Sequence, residues 1–293
     1  MSRAPRLLAL TTFGLLAGSA WGCLYFDKNF DRSRFRETSR EALLFRDQDA
    51  VNLILKTGFS GHLPADLAWV FPLPSKPISY READPDVFTE LRNHFLFMAE
   101  TGGSKGGPRS AADMPRASIR VHETVTVGGY QIIPIEIVNP KGSGEELNSW
   151  LRKQNFNELP NHIQKPYLKK GAYFLAIRMK PQTEDMVVKP LWVRYKSSEL
   201  SFPLRFTHDD RTFDLTLYFL GPKKQPRDLP AQSEWRSLDL PASTATGLNG
   251  LETLPKTRAL VAKAVHVETL TRVLIQGVNT RFHTADLKAD PGL

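Results

Sequence analysis

The chain has 293 residues and a formal net charge of +8, with 41% hydrophobic and 24% charged residues. That length is ample for a real core in one large domain or two modest ones, and that balance excludes a wholly disordered chain. There is one cysteine, Cys23, which excludes an intramolecular disulfide and leaves stability to core packing.

Residues 1–22 read as an export signal. Arg3 and Arg6 form a positive start, an apolar run over 7–17 is broken only by Thr11, Thr12 and Gly14, and Gly18, Ser19, Ala20 and Gly22 supply the small residues of a cleavage region. The run is short for a membrane-spanning helix, and no polar alternation gives it the exposed face of a core helix. Cys23 follows A-W-G directly. A cysteine at the first mature position is the diacylglyceryl acceptor of bacterial lipoproteins, although Ala20 and Trp21 stand where that pattern has Leu and a small residue. Two outcomes remain open: a lipid anchor on Cys23, or cleavage after Ala20 or Gly22 that frees an exported protein. Either would remove Arg3 and Arg6 and lower the charge by two, to +6. The other cations, among them Arg32, Lys169, Lys170 and Lys223, are spread and not interleaved with aromatics. This argues against nucleic acid as a partner and for a solvated face, with anionic lipid or wall polymer as the functional alternative.

Residues 41–45 (E-A-L-L-F) and 50–59 read as strands of a hairpin around R-D-Q-D. A strand around Trp69 follows and ends in F-P-L-P. Pro72 and Pro74 remove donors on the same edge, so the strand ends at a sheet edge on that side, with Trp69, Phe71 and Leu73 on one face. Asp84 and Pro85 announce a helix over 85–97, in which Val87, Leu91 and Phe95 recur every four residues. Residues 101–117 read as a flexible basic loop joining two sub-parts, 24–100 and 118–293, of one exported region over 23–293. Its G-G-S-K-G-G is not a phosphate loop, because the Gly-Lys-Ser/Thr order is missing.

Beyond the loop, strands over 118–127 and 130–138 flank a turn at Gly128 and Gly129. Ser143 with Glu146 has the capping-box spacing and opens a helix through Leu147, Trp150 and Leu151. A short helix over 163–170 leads into strands over 172–179, 187–196, 200–207 and 212–220. Residues 221–254, rich in Pro, Ser and Thr, read mostly as loop, and a last strand pair covers 259–276. The whole is an α+β, β-dominated fold of mostly antiparallel sheets with a few short helices.

The stretch A-W-V-F-P-L-P-S-K-P, preceded by G-F-S-G and followed by D-P-D-V-F-T-E-L, resembles the signature of a bacterial exported family, domain of unknown function 2330. The resemblance continues through V-G-G-Y-Q-I-I-P-I-E-I-V, E-E-L-N-S-W-L-R-K-Q-N-F and K-P-L-W-V-R-Y-K-S-S-E-L-S-F-P-L-R-F to E-T-L-T-R-V-L and T-A-D-L, most of the chain in order. The family often carries further cysteines, absent here. The resemblance implies export and a β-rich fold but no established reaction, so no catalytic residue follows from it.

No H-E-x-x-H or H-x-H pattern is present, so no metal site and no cofactor is expected. The densest polar cluster is His208, Asp209 and Asp210, a weak candidate site that is more simply a turn between strands. Trp69, Trp150 and Trp192 read as core, and Trp235 as the exposed one. The functional expectation is a non-enzymatic binding or structural module of the cell envelope, with an envelope component as partner. The alternative is an exported hydrolase whose site is assembled from distant residues, marked by a His–carboxylate pair or convergent carboxylates.

Overall fold

Strands β2 (Phe35–Asp47) and β3 (Ala50–Gly61) form the expected hairpin, closed by only Gln48 and Asp49, with Gln48 at φ 55. The structure is a computed structural model that describes residues 24–25, 35–61, 67–96, 118–156, 158–179, 189–206, 213–221, 229, 233–240, 251–262, 264, 267–278 and 286–289. Residues 1–22, read from the sequence as an export signal, together with Cys23, the 101–117 segment and the His208, Asp209, Asp210 cluster, lie outside the described residues.

Before the hairpin, β1 (Leu24–Tyr25) is a short strand. After it come β4 (Leu67–Leu73), β5 (Pro77–Glu82) and helix α1 (Asp86–Leu96). Next are β6 (Ile119–Val121), β7 (Val125–Val127), β8 (Tyr130–Ile137), helix α2 (Ser143–Lys153), helix α3 (Asn161–Gln164) with a 3-10 turn at Lys165–Tyr167, and β9 (Tyr173–Met179). The chain then gives β10 (Leu191–Lys196), β11 (Leu200–Phe202), a 3-10 turn at Leu204–Phe206, β12 (Phe213–Gly221) and β13 (Ser233–Asp239). Helix α4 (Pro255–Leu260), β14 (Thr269–Val278) and β15 (Leu287–Ala289) complete it. One sheet, sheet A, runs β1-β4-β9-β8-β6, with β7 also on β8. Sheet B runs β13-β14-β12-β2-β3-β10-β5, and β11 pairs with β15. The pairs are antiparallel except β12 with β2. The β-dominated, mostly antiparallel fold is as the sequence indicates.

Alternation along the strands sets the layers. Trp69, Phe71, Leu73, Leu175 and Ile177 of sheet A meet Leu44, Leu53, Val193, Leu217 and Val273 of sheet B in one central core. The opposite residues of sheet A, Ala68, Val70, Ile135, Phe174 and Ala176, pack under α2 and α3 through Leu147, Leu151 and Ile163. Those of sheet B, Leu43, Phe45, Ile54, Tyr218 and Leu270, pack under α1 and α4. The result is a helix–sheet–sheet–helix sandwich, and it explains why A-L-L-F over 42–45 and L-A-W-V-F-P-L are apolar without a break: both faces of these strands are buried. Each sheet takes strands from both sides of the 97–117 segment.

Strand β4 pairs with β9 from Leu67 through Leu73, and with β1 at Ala68 and Trp69, so among the described residues the stretch from Val70 to Leu73 has a ladder on one side. Three expectations are corrected. Residues 233–239 form β13, and Trp235 on it is half-buried against the central core, so it is not an exposed aromatic. Residues 255–260 form α4, leaving β14 in place of a strand pair. Ser143 is buried inside α2, with its hydroxyl donating to Pro140 O, and Glu146 reaches away to accept from Ser118 N and Ile119 N, so the two form no capping box. Glu146 instead fastens α2 to the start of β6.

Candidate functional site

Pro134 lies inside β8 and has no N–H to give its neighbour. Strand β6 pairs residues 119–121 with 135–137, and β7 pairs 125–127 with 130–132. Three residues, 122–124, therefore stand opposite two, Ile133 and Pro134, and the edge bulges there. His122 begins the bulge, with its N–H on Pro134 O at 2.9 Å.

Across the sheet, Arg120 stands opposite Glu136, and Glu136 opposite Tyr173. Arg120 and His122, two residues apart, point to the same side and converge on one oxygen. Arg120 Nη1 donates to Glu136 Oε2 at 3.0 Å, and His122 Nε2 lies 3.1 Å from the same atom. An ionised carboxylate only accepts, so Nε2 carries the proton in this pair and Nδ1 is left with no partner among the described residues. The Tyr173 ring stacks on the imidazole at 5.5 Å and 28°. Burial, then the Glu136 charge and a hydrogen bond to it, push the Tyr173 hydroxyl above its ordinary pKa. Burial also raises that of Tyr80 on β5, with Tyr173 contributing, and the Tyr80 hydroxyl oxygen is enclosed without a hydrogen bond. The cluster is accessible at its edge: the Arg120 side chain is 61% exposed, His122 30% and Glu136 20%.

The neighbouring turn is tied to sheet B. Glu82 accepts from Gly129 N at 3.2 Å, and Tyr130 donates to Lys189 O at 2.5 Å. Gly128 has φ +53, which favours glycine there, and a Cβ on it would displace the Glu82 carboxylate.

Two other charged groups are enclosed. Glu41, 7% exposed, takes Arg92 of α1 on Oε2, with Lys56 at 3.9 Å, and its Oε1 has no hydrogen bond. Burial lowers the Lys56 pKa against the opposing pull of Glu41. Asp286, just before β15, accepts from Tyr167 Oη at 2.5 Å and from Arg205 N at 3.3 Å. These contacts join chain segments and make no open site.

None of the residues singled out from the sequence, Cys23, His208, Asp209 and Asp210, lies in the described structure. Among the described residues, no group of His, Cys, Asp and Glu is arranged to hold a metal ion, and no helix is long and apolar enough to cross a membrane. Sequence reasoning missed Arg120, His122, Glu136 and Tyr173. The available signals were a proline inside an apolar strand and a basic pair spaced by two on the strand beside it.

Fold and site together define a helix-covered double-sheet sandwich with a His–carboxylate pair on one open edge. The chain belongs to the family of uncharacterized proteins conserved in bacteria (DUF2330), whose family model matches residues 20–234. No curated protein matches it. Among solved structures it is similar to baculovirus P35 in two forms. The mutated P35 after caspase cleavage is 9% identical with TM-score 0.43, and the other P35 structure is 10% identical with TM-score 0.42; each comparison covers 87% of this chain and 97% of that one.

Proposed function

We propose that the protein is an exported bacterial cell-envelope protein acting as a non-enzymatic binding module, with the Arg120, His122 and Glu136 edge as its ligand contact. Export is supported by Arg3, Arg6, the apolar run over 7–17 and the small residues before Cys23. The observation that carries the binding reading is the convergence of a guanidinium and an imidazole on one carboxylate oxygen at a partly exposed edge. Such a cluster holds planar polar groups in fixed orientation beside an aromatic ring, which favours recognition of a polar ligand. Hydrolysis is the second reading, favoured by the same pair: a carboxylate holding the Nε2 proton leaves Nδ1 as a base that can take a proton from water.

Fractionation of the native host with mass measurement of the mature N-terminus tests export. Processing at or near Gly22 is expected, and intact Met1 in the cytosolic fraction would sink the reading. If Cys23 carries acyl chains, Cys23→Ser moves the protein from the membrane to the soluble fraction, since each buried methylene contributes about 0.8 kcal/mol. Identical fractionation of wild type and variant rejects the anchor and leaves a free exported protein. Binding is tested by sedimentation with purified host envelope. Arg120→Ala and His122→Ala should release the protein, whereas soluble products made by wild type and lost in His122→Ala would establish hydrolysis instead.

A further inference from the structure

The two helical layers differ in charge. The layer over sheet A, residues 141–171, carries Lys141, Arg152, Lys153, Lys165, Lys169 and Lys170 against Glu145, Glu146 and Glu158, six cations to three anions, all exposed. The layer over sheet B, residues 84–96 and 251–262, carries Arg92, Lys256 and Arg258 against Asp84, Asp86, Glu90 and Glu252, three to four. Pairing accentuates the difference. On the sheet B side, Lys256 bridges Asp84 and Asp86, and Arg92 holds Glu41. Within residues 141–171 the one ion pair among the described residues is Arg152 with Glu158, so Lys141, Lys153, Lys165, Lys169 and Lys170 stand without a carboxylate partner there.

The helices that carry these lysines are fastened to one another and to sheet A. Asn148 of α2 exchanges two hydrogen bonds with the Leu159 backbone, Gln164 of α3 donates to Leu159 O, and Leu147, Leu151 and Ile163 pack together on sheet A. A second observation concerns where the chain enters the fold. Leu24, the residue after Cys23, is already paired with Trp69 in sheet A. The N-terminal end of the described fold is thus on the sheet whose helices carry the larger excess of cations among the described residues.

We infer that the α2/α3 layer docks on the surface of an anionic phospholipid membrane. The inference rests on the exported reading for its cellular setting, but its chemistry is independent of it. An ammonium close to an anionic lipid surface contributes about 1 kcal/mol, and several on one rigid layer add while remaining within a Debye length of the headgroups. Charge complementarity selects the occupant, since exposed lysines without partners lose no ion pair on binding.

The test is sedimentation of the full chain carrying Cys23→Ser with phosphatidylglycerol vesicles and with phosphatidylcholine vesicles, so that residues 1–22 contribute equally to every arm. Binding is expected to the anionic vesicles and to fall on raising salt from about 0.05 M to about 0.5 M. Replacing Lys165, Lys169 and Lys170 with Gln should weaken it about a hundredfold, with an unchanged thermal unfolding curve. Lys169→Glu should weaken binding while Arg258→Glu, the same change in charge on the other layer, should not. Equal loss in those two variants, equal binding to both vesicle types, or tighter binding to soluble polyphosphate than to anionic vesicles would overturn the assignment. Failure here leaves the fractionation result untouched, and cytosolic recovery of intact chain leaves vesicle binding untouched.

Discussion

Asp286 shows how burial sets the behaviour of a single residue. Burial raises its carboxyl above the ordinary 3.8, against the opposing effects of the Tyr167 hydrogen bond and of Arg205. A raised folded pKa means that the folded chain holds the proton more tightly than the unfolded chain. The group's contribution to stability is therefore largest at low pH and declines as pH rises from about 3.8 through the folded value. Asp286→Asn keeps an acceptor for Tyr167 and Arg205 without the charge. Its stability relative to wild type should rise between pH 4 and pH 7 in denaturant unfolding, and a pH-independent difference would contradict this account. T-A-D-L marked Asp286 as part of a pattern, yet nothing local in those letters places it against Tyr167, 119 residues away. The same is true of Glu136, an unremarkable residue in a strand until the bulge at Pro134 turns His122 toward it.

At the scale of elements, α4 depends on a different helix for its start. It has no side-chain cap of its own. Glu90 of α1 accepts from Lys256 N at 3.0 Å, Thr257 N at 2.8 Å and Thr257 Oγ1 at 2.9 Å, occupying the orphan donors of the first turn. Glu90→Ala should therefore cost about 1–2 kcal/mol, as loss of a helix cap does. Asp86→Ala, which removes one exposed partner of Lys256, should cost less, because the pair is open to solvent. Chemical denaturation of both variants checks the order, and an equal or reversed cost would refute the capping role. This cap explains why the start of α4 is not legible in the sequence: its acceptor belongs to residue 90, far outside the window in which a helix start is recognised. Helix α1 was legible because Asp84, Pro85 and the four-residue apolar spacing are all local; Asp84 Oδ1 does accept from Asp86 N at 3.0 Å.

For the whole molecule, the central fact is that neither sheet is made from one part of the chain. Sheet A takes β1 and β4 from before residue 97 and β6 to β9 from after 117, and sheet B interleaves β2, β3 and β5 with β10 and β12 to β14. Separating the halves would expose the residues of the central core, Leu44 and Leu53 against Leu217 and Val193 among them. A specific protease site introduced into 101–117 should therefore give two pieces that co-elute in native gel filtration after cleavage. Elution as two independent species would show that the sub-parts 24–100 and 118–293 fold separately.

By itself the sequence determined what depends on neighbours a few residues apart. Strand and helix periods, turn glycines and donor-less prolines all act within such windows, and they were enough for the β-dominated class and the family. Only the tertiary structure decided which strands share a sheet, that both sheets are covered on both faces, and that Arg120, His122, Glu136 and Tyr173 meet. Those outcomes depend on burying apolar surface between segments far apart in the chain. The hydrophobic effect rewards that burial without direction, so the letters of any one segment do not name the partner it will meet.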